Sequence, residues 1–183
     1  MHIQTLEIEF SRLINPNFTI LMDLWTDLCG DRFAPMWRDV DLSRFPGSII
    51  PFITVVDVLD SGDPFSYRFW GTGHTRVKGV DLTGKSPQSM LPKVVADLIF
   101  QEFTLVRDNK TPMSFVHDIR PQSDEASRIQ ETLRLPLSND GQNVTNIISL
   151  ADWQTDQDYW STMYADAKMG ACDRSLKTLS ASI

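Results

Sequence analysis

Gly71 and Gly73, with Thr72 between them and Gly79 a few residues on, form the segment whose spacing first suggests chemistry. Paired glycines after a strand can bring backbone N–H groups onto a phosphate at a helix N-terminus. The dinucleotide pattern fails, however, because Arg76 stands where its third glycine would fall and the flanking strands read as a hairpin rather than a βαβ unit. These glycines therefore read as a tight strand-to-helix turn. The remaining candidates for metal, haem or nucleophile chemistry are His2, His74, His117, Cys29 and Cys172. None lies in a Cys-x-x-Cys or His-x-x-x-His spacing, there is no Gly-x-Ser-x-Gly elbow, and Asp152, Asp156 and Asp158 lack the glycine and closing glutamate of a calcium loop. No metal or haem is expected. His117 and Asp118 are strand neighbours pointing to opposite faces, so they do not form a dyad.

The elements that position these residues follow from periodicity. Asn15 and Pro16 have the form of an N-cap and first helical residue, after which Phe18, Leu21, Met22, Trp25, Leu28 and Cys29 recur at helical spacing until Gly30. Asp31 to Pro51 lacks sustained periodicity and reads as an extended arm draped on the core, anchored by Trp37 and Phe45. Ile49 to Asp60 and Phe65 to Trp70 are strands of a hairpin turning at Ser61-Gly62-Asp63-Pro64. In the second of them Phe65, Tyr67 and Phe69 share one parity, against Ser66, Arg68 and Trp70. A short glycine-bounded helix follows. After Pro92 a longer helix carries Val95, Leu98, Ile99, Phe103 and Val106 on one stripe, with Glu102 as the exception.

Met113 to Arg120 alternates as a half-buried strand with Met113, Phe115, His117 and Ile119 on one side. In the next strand Ile129, Leu133, Leu135 and Leu137 oppose Gln130, Thr132 and Arg134, with the leucines predicted inward, and Ser138 to Gly141 turns into Val144 to Ala151. These three make an antiparallel meander. Trp160, Met163, Tyr164 and Ala167 then mark a C-terminal helix, and the residues past Gly170 are expected to fray.

A chain of 183 residues, 42% of them hydrophobic, supports one core. Its parts divide into an N-terminal helix and arm (1–48), a core (49–152), and a C-terminal helix and tail (153–183). A net charge of −7 without any basic run argues against nucleic acid or anionic membrane as partner. The N-terminus has no apolar run of signal-peptide length, and the most apolar stretch, Ile49 to Leu59, is interrupted by Pro51, Thr54 and Asp57. No membrane insertion is expected. Two cysteines in separate contexts fit a reducing cytoplasm rather than a disulfide framework.

Most of the inward aromatic and aliphatic side chains must be core. A small sheet covered by helices on one side can also leave an apolar pocket, with Tyr67 or His117 as a polar handle. The pocket candidates are Tyr67, Phe69, His74, Phe103, Phe115, His117 and Leu133. Leu21, Met22 and Trp25 on the first helix are candidates for a homodimer interface, the alternative being that this helix covers its own core.

Two strands, short helices, a long helix and a three-stranded meander is the element order of a PAS domain, and the chain resembles the small PAS-like family of alphaproteobacteria. The residues that carry the resemblance are Asp31-Arg32 with Pro35, the Arg38-Asp39-Val40-Asp41 arm, Pro51, Tyr67-Arg68, Gly71-Thr72, Gly79, Asp81-Leu82-Thr83-Gly84-Lys85, Leu135-Pro136-Leu137-Ser138 and Asp140-Gly141. The resemblance implies an α+β PAS fold, with a five-stranded antiparallel sheet, helices on one face, and flanking N- and C-terminal helices. It also implies a stand-alone sensory module that binds a small molecule or partner protein, is not an enzyme, and carries no assigned ligand residues. Chromophore-binding PAS domains place a cysteine or histidine on the central helices, where His74 is the only candidate here. The residues after Ala151 are too few for a kinase or cyclase domain, so output is expected through a partner or self-association. Two other readings stay open: a small α+β enzyme using Tyr67 or His117, and a structural dimerisation adaptor.

Overall fold

The computed structural model describes residues 2–60, 62–120, 128–153 and 157–180, with backbone alone beyond Lys168. An antiparallel six-stranded sheet in the order β1-β4-β5-β6-β2-β3 forms its centre. The strands are β1 (His2–Ile8), β2 (Ile53–Val58), β3 (Phe65–Trp70), β4 (Met113–Arg120), β5 (Arg128–Leu137) and β6 (Asn146–Ala151). The α-helices are α1 (Asn17–Cys29), α2 (Thr72–Lys78), α3 (Lys93–Asn109) and α4 (Gln157–Ser180). Leaving β1 aside, this is the element order expected: two strands, short helices, a long helix and a meander.

Local chemistry explains most boundaries. The Asn17 N–H donates to Asn15 Oδ1 at 2.9 Å, so Asn15 caps α1 from just ahead of Pro16. Gly79, left-handed at φ 62°, closes α2 with its N–H on the Thr75 carbonyl. Gly71 is fixed by close approach instead, since a Cβ there would sit 2.2 Å from the Pro51 carbonyl oxygen. β2 begins at Ile53 rather than Ile49, because residues Ile50–Phe52 form a single 3-10 turn around Pro51, which has no N–H for the ladder. α4 runs through Ser180, so the chain does not leave the helix at Gly170 and Cys172 lies within α4 rather than in a tail.

The sixth strand corrects the expected count of five. β1 is mostly exposed and becomes a strand by pairing with β4, from His2 opposite Arg120 to Ile8 opposite Ser114. Its regularity comes from the ladder and not from its own apolar pattern.

Helices α2, α3 and α4 line one face of the sheet, and the N-terminal flanking helix α1 with the arm covers the other. On β5 the Glu131 side chain accepts from the Ile14 N–H at 3.0 Å, and the backbone near its end meets α1 and the arm, with Trp25 Nε1 donating to the Pro136 carbonyl at 2.7 Å and the Ser138 N–H to the Pro35 carbonyl at 2.8 Å. The Arg134 side chain of β5 faces α3, where it meets Glu102. The sheet is thus covered on both faces, and from Gln130 to Ser138 β5 and its end are buried on each side. Phe45 and Ile49 of the arm belong to the same core as Phe52 and Leu135, and Trp37 packs against it half-buried.

Candidate functional site

A β-bulge decides which aromatic side chains reach the space between sheet and helices. Val56 pairs with Tyr67, but its neighbour Val55 pairs with Phe69, which leaves Arg68 as the extra residue. Alternation is therefore broken after Tyr67. Tyr67 and Trp70 both face the helices, in contact with each other at 4.7 Å between ring centroids, while Phe69 turns to the other face with Val55. From β5 the same side receives Gln130, Thr132 and Arg134, and from β4 it receives His117, which stands opposite Gln130.

α3 contributes a buried carboxylate. Glu102 is 2% exposed, and its Oε2 accepts from Arg134 Nε at 2.8 Å while its Oε1 accepts from His117 Nε2 at 2.5 Å. His117 Nδ1 lies 2.6 Å from Gln130 Oε1, whose amide nitrogen is directed to the Glu131 carbonyl and Thr132 Oγ1. Both ring nitrogens of His117 are thus engaged, Nδ1 with Gln130 and Nε2 with Glu102. Burial pushes the Glu102 carboxyl up, but the Arg134 and His117 charges and hydrogen bonds outweigh it and hold the group below the usual carboxylate range. Arg134 also lies over the Phe103 ring at 4.4 Å and donates to Ser149 Oγ at 3.1 Å.

Beside this network is a second polar cluster with few partners. Lys78, at the end of α2, is 3% exposed, and its ammonium sits 5.5 to 5.7 Å from the ring centroids of Trp70, Trp153 and Tyr164. Among the described residues its one hydrogen bond is to the Met90 thioether at 3.3 Å, a weak acceptor. Burial, helped by the Arg134 and Lys168 charges and opposed by Glu102, lowers its pKa to about 7. His74 donates from Nε2 to the Phe52 carbonyl at 2.9 Å, and burial with the nearby Lys78 charge lowers its pKa to about 3. The imidazole is neutral, so Nδ1 is an acceptor. Three buried atoms here have no partner among the described residues: His74 Nδ1, Trp70 Nε1 and Trp153 Nε1. The side chains that carry them line a cavity of about 40 Å³, walled also by Tyr67, His117, Thr132 and Ala151 of the sheet, Val95 of α3 and Tyr164 of α4.

Of the residues singled out in the sequence, Tyr67, His74 and His117 line this cavity. Phe103, fully buried, packs against Tyr67 and supports the wall from behind. Phe115 is buried on the cavity's side of the sheet but outside the lining, Phe69 faces away because of the bulge, and Leu133 lies on the α1 face. Leu21 is buried in the chain's own core, Trp25 is tied to β5, and Met22 is half-buried against the same core. Lys78, Glu102, Arg134, Trp70 and Trp153 were not expected. Glu102 had a signal of its own, as a charge at i+3 from Ile99 inside an apolar stripe. Among the described residues no group of three or more His, Cys, Asp or Glu side chains could hold a metal, and no helix is long and apolar enough to cross a membrane. Asp156 of the weighed aspartate set lies outside the described residues.

The two strands, the intervening helices and the meander stand in the order that the sequence resemblance implies. The chain has the PAS fold. No protein-family model and no curated protein matches it. Among solved structures it is similar to the light-state structure of the blue-light photoreceptor Aureochrome1 LOV, at 14% identity and a TM-score of 0.38, over 63% of this chain and 90% of that one. It is also similar to an RNA-binding Light-Oxygen-Voltage receptor, at 16% identity and a TM-score of 0.43, over 93% of this chain and 43% of that one. The chain therefore spans less than half of that receptor.

Proposed function

We propose that the chain is a PAS sensor or regulatory module of the small alphaproteobacterial PAS-like family, acting in the cytoplasm, whose cavity takes a small molecule and whose signal leaves through α4. One observation carries this reading: the cavity wall is shared between the sheet, α2 and the α4 region. Trp153 and Tyr164 form one side of it, His74 and Lys78 another, and Lys168 of α4 bonds the Lys78 carbonyl. An occupant that moves α2 or Trp153 must therefore move α4. Binding is favoured over catalysis by the state of the polar groups. Both nitrogens of His117 are engaged, and burial raises the Tyr67 hydroxyl's pKa so that it stays protonated, which leaves neither poised as a general base.

Ala151→Leu tests the coupling by filling the cavity from β6, with Thr54→Val as a control that changes polarity at nearly constant volume. Hydrogen exchange of the described α4 amides should change several-fold in Ala151→Leu and stay at the parent level in the control. Unchanged α4 exchange in a folded Ala151→Leu protein would remove the proposed output route.

A further inference from the structure

Side chains that line the cavity carry unpartnered polar atoms whose chemistry bears on what enters it, and the inference drawn from them rests on the sensor reading above. Buried polar groups are nearly always hydrogen-bonded, so several orphans around one cavity describe the complement of a ligand. Two are fixed donors, the indole N–H groups of Trp70 and Trp153, which are 5% and 3% exposed. A third donor is the Lys78 ammonium, equally buried and bonded, among the described residues, only to a thioether. The one orphan acceptor is His74 Nδ1, since its Nε2–H is committed to the Phe52 carbonyl. These four side chains form one cluster, with Trp70 and His74 ring centroids 5.0 Å apart, His74 and Trp153 6.4 Å apart, and Lys78 between the two indoles.

Charge points the same way. Glu102 already has Arg134 and His117 as partners, so it is not available to neutralise Lys78. Proton loss or an anion is what remains for a lysine buried among three rings. Size narrows the class further, because a cavity of about 40 Å³ has room for the equivalent of roughly three waters at ~10–15 Å³ each. This space suits a few heavy atoms.

We propose that the cavity binds a small carboxylate of two or three carbons, its oxygens held by Lys78 and the indole N–H groups of Trp70 and Trp153, with a hydroxyl on the acid donating to His74 Nδ1. The acid's apolar edge lies against Val95 and Ala151. Ordered water would meet the same donors but would leave the Lys78 charge without a counter-ion.

Glycolate is the probe and glycolamide its neutral isostere, each titrated into the full chain at constant ionic strength set with sodium chloride. The readout is the indole N–H resonances, with those of Trp70 and Trp153 assigned from Trp→Phe variants. Glycolate should shift both, saturating at roughly millimolar concentration as suits so few atoms, while glycolamide leaves them in place. Lys78→Met, which fills the same volume without charge, should remain folded and lose at least tenfold in glycolate affinity. Glycolamide matching glycolate, a full response in Lys78→Met, or no shift with glycolate would each overturn the assignment. The α4 exchange response of Ala151→Leu involves no carboxylate, so the sensor reading stands or falls separately.

Discussion

At the residue scale, two neighbouring polar clusters answer burial in opposite ways. Glu102, Arg134, His117 and Gln130 satisfy one another, and removing Glu102 leaves the Arg134 charge in the interior without its carboxylate. Glu102→Ala should therefore cost about 3–5 kcal/mol in urea unfolding, whereas replacing Glu102 and Arg134 together with leucine and methionine should recover most of that loss. A double variant as unstable as the single one would mean that the pair does more than neutralise itself. Lys78 is the contrasting case, faced by His74 on α2, Glu102 on α3, Arg134 on β5 and both Tyr164 and Lys168 on α4. Its pKa falls from 10.5 in the unfolded chain to about 7 in the folded one, so between those values the unfolded chain binds more protons and stability rises with pH. Lys78→Met should accordingly be the more stable protein at pH 6.5, and the difference should shrink by a few kcal/mol towards pH 9.5, below the range where the tyrosines titrate. A pH-independent difference would place the ammonium in water.

Elements with their own punctuation were legible in the sequence, and those defined by pairing were not. α1 follows from Asn15, Pro16 and Gly30, and α2 from Gly71 and Gly79, because each residue's backbone preference acts locally. β1 has no such marker and exists because β4 offers it an edge. Gln130, Thr132 and Arg134 read as a solvent face by alternation, yet that face is covered by a helix carrying the matching Glu102. The glycines offer a test at this scale. Gly71→Ala would drive a Cβ to 2.2 Å from a backbone oxygen, while Gly79→Ala meets only the end of the flexible Lys168 side chain at 3.4 Å in a left-handed turn. The second should cost about 1–2 kcal/mol and the first clearly more, as measured by thermal unfolding. Equal losses would show that the β2 to α2 contact yields easily.

For the whole molecule, covering both sheet faces leaves α1 occupied within its own chain. Trp25→Asp should therefore lower stability by roughly 3–5 kcal/mol, the range for removing a large aromatic side chain, with no change in the mass seen by sedimentation. A fall to half the parent mass at unchanged stability would instead make α1 an interface between copies. The bulge at Arg68 has a consequence for how this chain tolerates changes in length. Losing one residue from a strand normally inverts everything beyond it. Here Val56 opposite Tyr67 and Val55 opposite Phe69 would become a continuous register if Arg68 were lost, with Trp70 still opposite Thr54 and still facing the cavity. The chain would give up the Arg68–Asp57 ion pair, part of which is exposed, and keep its indole donor. Removing Ser66 would instead swing Phe65 out of its contacts with Phe100 and Phe103. Two single-residue deletions two positions apart thus separate a tolerated shortening from a ruinous one.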